Sequence, residues 1–235
     1  MEQETMNIAE NYRIVKDRIA EAAVRSGRRP EDVRLVAVTK FVDTARIKEA
    51  IEAGAVEVGE NRAQELEDKF GFFKENGQTV HFIGQLQLNK VKYLVGRADL
   101  IQSADRPEAF SEIARLAEKH GVVQNTLVEI NIGEEPQKGG IAPQDASELL
   151  KRISDMPCVR VRGLMCIPPA AGGQDASYYF KRMKELFENI KAMNIPGVSM
   201  ELLSMGMSGD YPSAVAEGAN MVRVGSAIFG ARPRH

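Results

Sequence analysis

The chain has too few cysteines to build a disulfide framework or a zinc knuckle: Cys158 and Cys166 are the only two, at a spacing that fits neither. It lacks tryptophan, and no stretch is long and apolar enough to span a bilayer. Neither charge sign is in excess, since acidic and basic residues nearly cancel to a formal net charge of -2 and are interspersed. That excludes a basic stripe for nucleic acid and a polybasic cluster for a membrane surface. The first residues, MEQETMNIAENYR, are polar and acidic and carry no apolar signal core. A cytoplasmic protein with reduced thiols, no nucleic-acid partner and no membrane partner is expected. HExxH, GxGxxG and GxxxxGKS/T are absent too, so a zinc protease, a dinucleotide enzyme and a P-loop NTPase each lack their first requirement.

What is present is a chain of 235 residues, 43% hydrophobic, which can bury a full core. Its organising stretch is residues 33–40, VRLVAVTK, a β-branched and apolar run ending in one lysine. So short an apolar run reads as a strand buried on both faces, the habit of parallel sheets covered by helices. Lys40 then sits at the strand's carboxyl end, where α/β folds place their ligands. An amine held against apolar walls is disfavoured as ammonium, and its lone pair can attack an aldehyde to form a Schiff base. Taken alone, a surface lysine opening the next helix is the commoner case.

In chain order, Ile8, Tyr12, Val15 and Ile19 recur at helical spacing up to Gly27, giving an extra N-terminal helix. Strands are expected near residues 33–40, 55–58, 80–83, 100–101, 127–132, 159–165, 198–203 and 221–224. Between them, helices are expected from Asp43 or Thr44, from Asn61, over 86–95, 107–120, 144–154 and 176–193, and over 212–217. Eight strands alternating with helices, with no linker, predict one (β/α)8 barrel domain over 1–235, with a doubly wound open sheet as the alternative. The longest polar, glycine-rich interruption, GEEPQKGGIAP after the fifth strand, is expected to be a mobile functional loop.

Two loops then stand out. SMGMSG follows the seventh strand, and Gly225 and Ser226 follow the eighth and open AIFGAR. A (β/α)8 barrel usually binds phosphate with these two loops and the start of a short extra helix. Gly206 and Gly225 admit close backbone approach, and Ser208 and Ser226 supply hydroxyls. Glycine and serine are common in any turn, but both loops stand at the expected place. Arg223 lies two residues before Gly225 and so shares its inward direction. Inside a barrel it is either in a structural salt bridge or bonded to a ring nitrogen of a ligand. A reactive lysine, a phosphate cradle and that arginine together point to pyridoxal phosphate (PLP).

The segments VAVTK, VGENRAQE, HFIGQLQLNK, VEINIGEEPQKGGI, RGLMCIP, LSMGMSGD and VRVGSAIFGAR, in this order, cover nearly the whole length. On them the chain resembles the pyridoxal phosphate homeostasis proteins, relatives of the barrel domain of alanine racemase. The resemblance implies that Lys40 is the Schiff-base lysine, that Arg223 approaches the pyridine nitrogen, that Ser208, Gly225 and Ser226 hold the phosphate, and that Asn61 lines the pocket. Ser226 stands where many relatives carry threonine, which keeps the hydroxyl. A monomer that supplies PLP-requiring apoenzymes is the expected role.

An arginine at the pyridine nitrogen disfavours its protonation, so the ring is a weak electron sink. A racemase also needs a second acid or base on the far face of its substrate. Barrel racemases take that group from another domain and subunit, and the sequence ending at His235, just past the eighth strand, leads to the expectation that none is present. A non-catalytic carrier is therefore expected, with an amino-acid racemase or lyase as the alternative. A binder of another phosphorylated metabolite remains open if Lys40 lies outside the pocket. His81 reads as a core or rim histidine, His120 as a helix-end residue, Cys166 as a buried structural thiol, and Met205 and Met207 as packing. Lys138, beside Gly139 and Gly140, is a candidate second amine for cofactor transfer, though a plain solvated lysine is the commoner reading.

Overall fold

The computed structural model describes residues 7–169 and 175–230. Residues 1–6 of the polar N-terminal stretch and the last two residues of AIFGAR lie outside them. Eight parallel strands close into a barrel in sequence order. They are β1 (Arg34–Val38), β2 (Glu57–Glu60), β3 (Thr79–Phe82), β4 (Leu100–Ala104), β5 (Gln124–Ile130), β6 (Val159–Cys166), β7 (Val198–Ser204) and β8 (Met221–Val224). Closure sets β8 beside β1, with Val36 opposite Arg223. The expected (β/α)8 architecture is the observed one.

The helices are α1 (Ile8–Arg25), α2 (Thr44–Glu52), α3 (Ala63–Glu75), α4 (Pro107–His120), α5 (Ala146–Ile153), α6 (Ala176–Ala192), α7 (Tyr211–Ala216) and α8 (Ser226–Phe229). Their starts follow from local chemistry: Asp43 and Asp175 cap α2 and α6 by accepting the amides of Arg46 and Ser177. The stripe Ile8, Tyr12, Val15, Ile19, Ala22 and Ala23 is buried, so α1 is the extra helix its spacing predicts. It packs against α2, α7 and α8, closing the helical ring where the four-residue α8 leaves it short. Asn11 donates to the Ile228 carbonyl and Tyr12 to that of Gly54.

Two elements differ from expectation. Residues 86–95 form a 3-10 segment, Leu88–Tyr93, in place of an α-helix. QLQL alternates polar and apolar residues, so no continuous helical stripe exists, and Leu86, Val91, Leu94 and Val95 reach the core at uneven spacing. Helix α3 starts at Ala63, later than Asn61, because Gly84 presses on Asn61: a Cβ on Gly84 would stand 1.9 Å from the Asn61 carbonyl oxygen. Asn61 thus continues the path of β2 to the barrel mouth.

Inside the barrel, Val36, Leu100, Leu127, Met165 and Met221 form an apolar cluster. Beside it run fully buried polar groups, His81, Gln102 and Ser204, in a stack more polar than barrel interiors usually are.

Candidate functional site

Lys40 is the second residue past the end of β1, and the turn that presents it is held from behind. Lys69 of α3 donates to the carbonyl of Thr39 at 2.9 Å, and Glu65 accepts the amide of Phe41 at 2.8 Å. The two peptide groups flanking Lys40 are thereby fixed. Lys69 also pairs with Glu60 at 2.9 Å and Glu65 at 3.2 Å, and the Thr39 hydroxyl donates to Glu60 at 2.7 Å. Phe41 has φ +62°, a left-handed conformation that costs a non-glycine residue roughly 1–3 kcal/mol and needs such support. Burial raises the Glu60 carboxyl above its ordinary pKa, opposed by Lys69 and by the Thr39 hydrogen bond.

Across the mouth, the loops after β7 and β8 are joined by Ser208. Its hydroxyl oxygen accepts the amides of Gly225 and Ala227 at 3.1 and 3.2 Å, so its own proton remains to be donated. Gly206, at φ +97°, makes this turn possible, since a Cβ there would meet that of Ala214 at 2.5 Å. Arg223 is buried, donating to the Ser204 hydroxyl at 2.6 Å and to the Cys166 carbonyl at 2.9 Å. Burial lowers its pKa, opposed by Cys166, Glu129 and Asp210.

Lys40, Asn61, Ser208, Arg223, Gly225 and Ser226 all line one cavity of about 240 Å³ at the carboxyl ends of the strands. Val38, Ile83, Ile167, Met207 and Gly209 complete its wall. Met207 therefore faces the cavity, while Met205 is core packing as expected. Ile83 and Ile167 stand just past their strand ends, as Lys40 does, and that position was the available signal for them. The Asn61 Oδ1 atom is buried without a partner, an acceptor left on the cavity wall.

Other expectations resolve locally. Cys166 is buried, which pushes its thiol up to about 12, out of reach of thiolate chemistry near neutrality. His81 is fully buried in the core. Lys138 is not on the cavity wall; it pairs with Glu135 at 2.5 Å and donates to the Pro168 carbonyl at 3.1 Å. Its loop is closed at the neck, where the Asn131 amide donates to the Ile141 carbonyl and the Ile141 amide to the Glu129 carbonyl, bridging Ile130 and Ile141. Among the described residues no group of three or more potential metal ligands gathers, and no helix is long and apolar enough to cross a membrane.

The model of the alanine racemase N-terminal domain matches residues 5–233. A pyridoxal phosphate homeostasis protein of Aquifex aeolicus is 40% identical over 228 residues, 97% of this chain and 99% of that one. The chain belongs to the pyridoxal phosphate homeostasis protein family. Among solved structures, an unknown protein from Bifidobacterium adolescentis matches with a TM-score of 0.88 at 34% identity, covering 95% of this chain and 94% of its own. The family member PipY of Synechococcus elongatus, solved with PLP bound, matches with a TM-score of 0.78 at 34% identity, covering 90% of this chain and all of its own.

Proposed function

We propose that this protein is a single-domain PLP carrier over residues 1–235, a cytoplasmic monomer that holds the cofactor in the mouth cavity and supplies PLP-requiring apoenzymes without turnover of its own. The observation that carries this reading is the convergence of Lys40, Asn61, Ser208, Arg223, Gly225 and Ser226 on one cavity, in a family with a member solved with PLP bound.

The residues fit the group. When bound, PLP supplies an aldehyde that condenses with a primary amine, and Lys40 is the amine on the wall. The Ser208 and Ser226 hydroxyls, with loop amides that Ser208 does not already engage, would hold the phosphate, and among the described residues no carboxylate lines the cavity to repel it. The unpartnered Asn61 Oδ1 is an acceptor that would suit the ring hydroxyl. Arg223 would donate to the ring nitrogen and, being a cation, would keep it unprotonated. An unprotonated ring withdraws electrons weakly, which favours holding over turnover.

Borohydride reduction of the loaded protein followed by peptide mapping tests the anchor: the label is expected on Lys40, and label on another lysine alone would overturn it. Arg223→Glu is expected to change the cofactor's absorption across pH with the covalent link intact. Delivery is tested by mixing loaded protein with a cofactor-free acceptor enzyme and a trap for free aldehyde, where activation is expected despite the trap. Inverted or deaminated product on incubation with single amino acids would replace the carrier with a racemase or lyase.

A further inference from the structure

Behind Arg223 a chain of side chains crosses the barrel interior, and the site just described uses none of them. Arg223 Nη1 donates to Ser204 Oγ at 2.6 Å. Having accepted that bond, Ser204 directs its own proton to Gln102 Oε1, also at 2.6 Å. That contact fixes the amide, so Gln102 Nε2 faces His81 Nδ1 at 2.9 Å, with Met221 Sδ as a weaker second acceptor at 3.2 Å. Nδ1 must then be bare, which puts the ring proton on Nε2, 3.3 Å from Glu57 Oε2. Glu57 takes a further bond from Arg34 at 2.7 Å. Burial pushes the Glu57 carboxyl up, but the bonds from His81 and Arg34 outweigh it and hold it below its ordinary pKa.

Every bond from Arg223 to His81 therefore points one way, with a cation at the cavity and the Glu57 carboxylate 3.3 Å beyond the far ring nitrogen, close enough to attract its proton without a formed hydrogen bond. Hydrogen bonds polarised in series strengthen one another in a low-dielectric interior. Gln102, His81 and Ser204 are all fully buried to within 1% exposure, so no water competes. With Nη1 and Nη2 held by Ser204 and the Cys166 carbonyl, the guanidinium plane is set, and its remaining donors have a defined direction.

We propose that Ser204, Gln102 and His81, terminated by Glu57, are positioning residues that hold Arg223 in the orientation with which it meets a ring acceptor in the cavity. The inference rests on the reading of Arg223 as a contact to the PLP ring nitrogen. Its consequence is selectivity: the chain makes the site distinguish a ring nitrogen from a ring C–H at that edge.

The test compares affinity for PLP with affinity for its analogue in which the ring nitrogen is replaced by C–H. The wild type is expected to prefer PLP, and Gln102→Leu and Ser204→Ala to lose about tenfold of that preference, the scale of a bond to a charged group. Affinity for the C–H analogue should stay nearly constant; an equal loss for both ligands would mean mere structural damage and overturn the proposal. An undiminished preference in a folded Ser204→Ala or Gln102→Leu protein overturns it as well. If Arg223→Leu also keeps the preference, the contact of Arg223 with the ring nitrogen is what fails. An independent readout needs neither variant nor cofactor. The chain has three histidines, so nitrogen NMR of the cofactor-free wild type can assign His81, and the proton is expected on Nε2. Finding it on Nδ1 breaks the direction of the chain and overturns the inference.

Discussion

On the β1–β2 wall of the cavity, the turn carrying Lys40 is fixed by charged groups placed behind it, the buried Glu60 with the partly buried Lys69 and Glu65. The β7–β8 wall is instead joined by one serine hydroxyl, Ser208 of the first loop accepting two amides of the second, with the Asp210 carboxylate holding the Met207 amide within the first loop. The difference follows from what each wall presents. A strained turn that must aim one amine needs strong, rigid restraint, and full charges give it while facing away from the ligand. On the proposed reading the other wall meets a phosphate, for which hydroxyls and amides facing the cavity are the right donors.

The largest effect is expected on the first wall. Lys40→Ala should abolish the visible absorption of covalently held cofactor, whereas Ser208→Ala should leave it. A persistent band in Lys40→Ala, traced by reduction and mapping to Lys138, would give that loop lysine a part in transfer.

Next in size is the ion cluster. Lys69→Met leaves Glu60 buried at 0% side-chain exposure without its cation, and urea unfolding should show a loss of about 3–5 kcal/mol. Adding Glu60→Gln should restore most of it. If the single variant is as stable as the parent, the first wall is not held by charge.

Much of this was legible in the sequence. The run ending in Lys40, the two-residue step from Arg223 to Gly225 and the loops after β7 and β8 needed only strand periodicity and the known place of ligands in a barrel. The restraints behind them were not. Lys69 and Glu65 look like an ordinary surface pair at helical spacing, and only the packing of α3 against the mouth turns them inward. The Arg223 chain draws one residue each from β2, β3, β4 and β7, and no local pattern records which inward positions meet across a barrel. Asn61 was found as a pocket residue but assigned to a helix, because Gly-Glu-Asn has no strand propensity; contact with Gly84 decides its path.

A third prediction concerns a carboxyl behind Arg223 that belongs to neither wall. Glu129 on β5 is the carboxyl that burial and Asp105 push up to about 7, with Arg223 opposing. Its folded pKa lies above the ordinary 4.5, so the folded state holds a proton that the unfolded chain has released. Stability should therefore fall as pH rises from about 4.5 to about 7. Glu129→Gln should remove that slope and gain about 2–3 kcal/mol at pH 8, with no gain at pH 4. A pH-independent difference between the two proteins would disprove the assignment.

The smallest effect concerns Ser208. Its replacement by alanine leaves the amides of Gly225 and Ala227 without that acceptor, and PLP retention should weaken by roughly 1–2 kcal/mol, measured as a cofactor dissociation constant. Unchanged retention would move the phosphate away from this loop.

Helix α1 has a consequence for how the chain acquires its shape. Its apolar stripe lies wholly ahead of the barrel strands, yet of the helices on which it rests only α2 is near in sequence, and α7 and α8 come after β7. Until they arrive, the stripe is an exposed adhesive surface, and the contacts that cover it span nearly the full sequence separation. Such closure is slow in any chain and leaves a window for aggregation. Chain order and packing are opposed here: α1 precedes every strand, yet its seat is complete only with helices that follow β7.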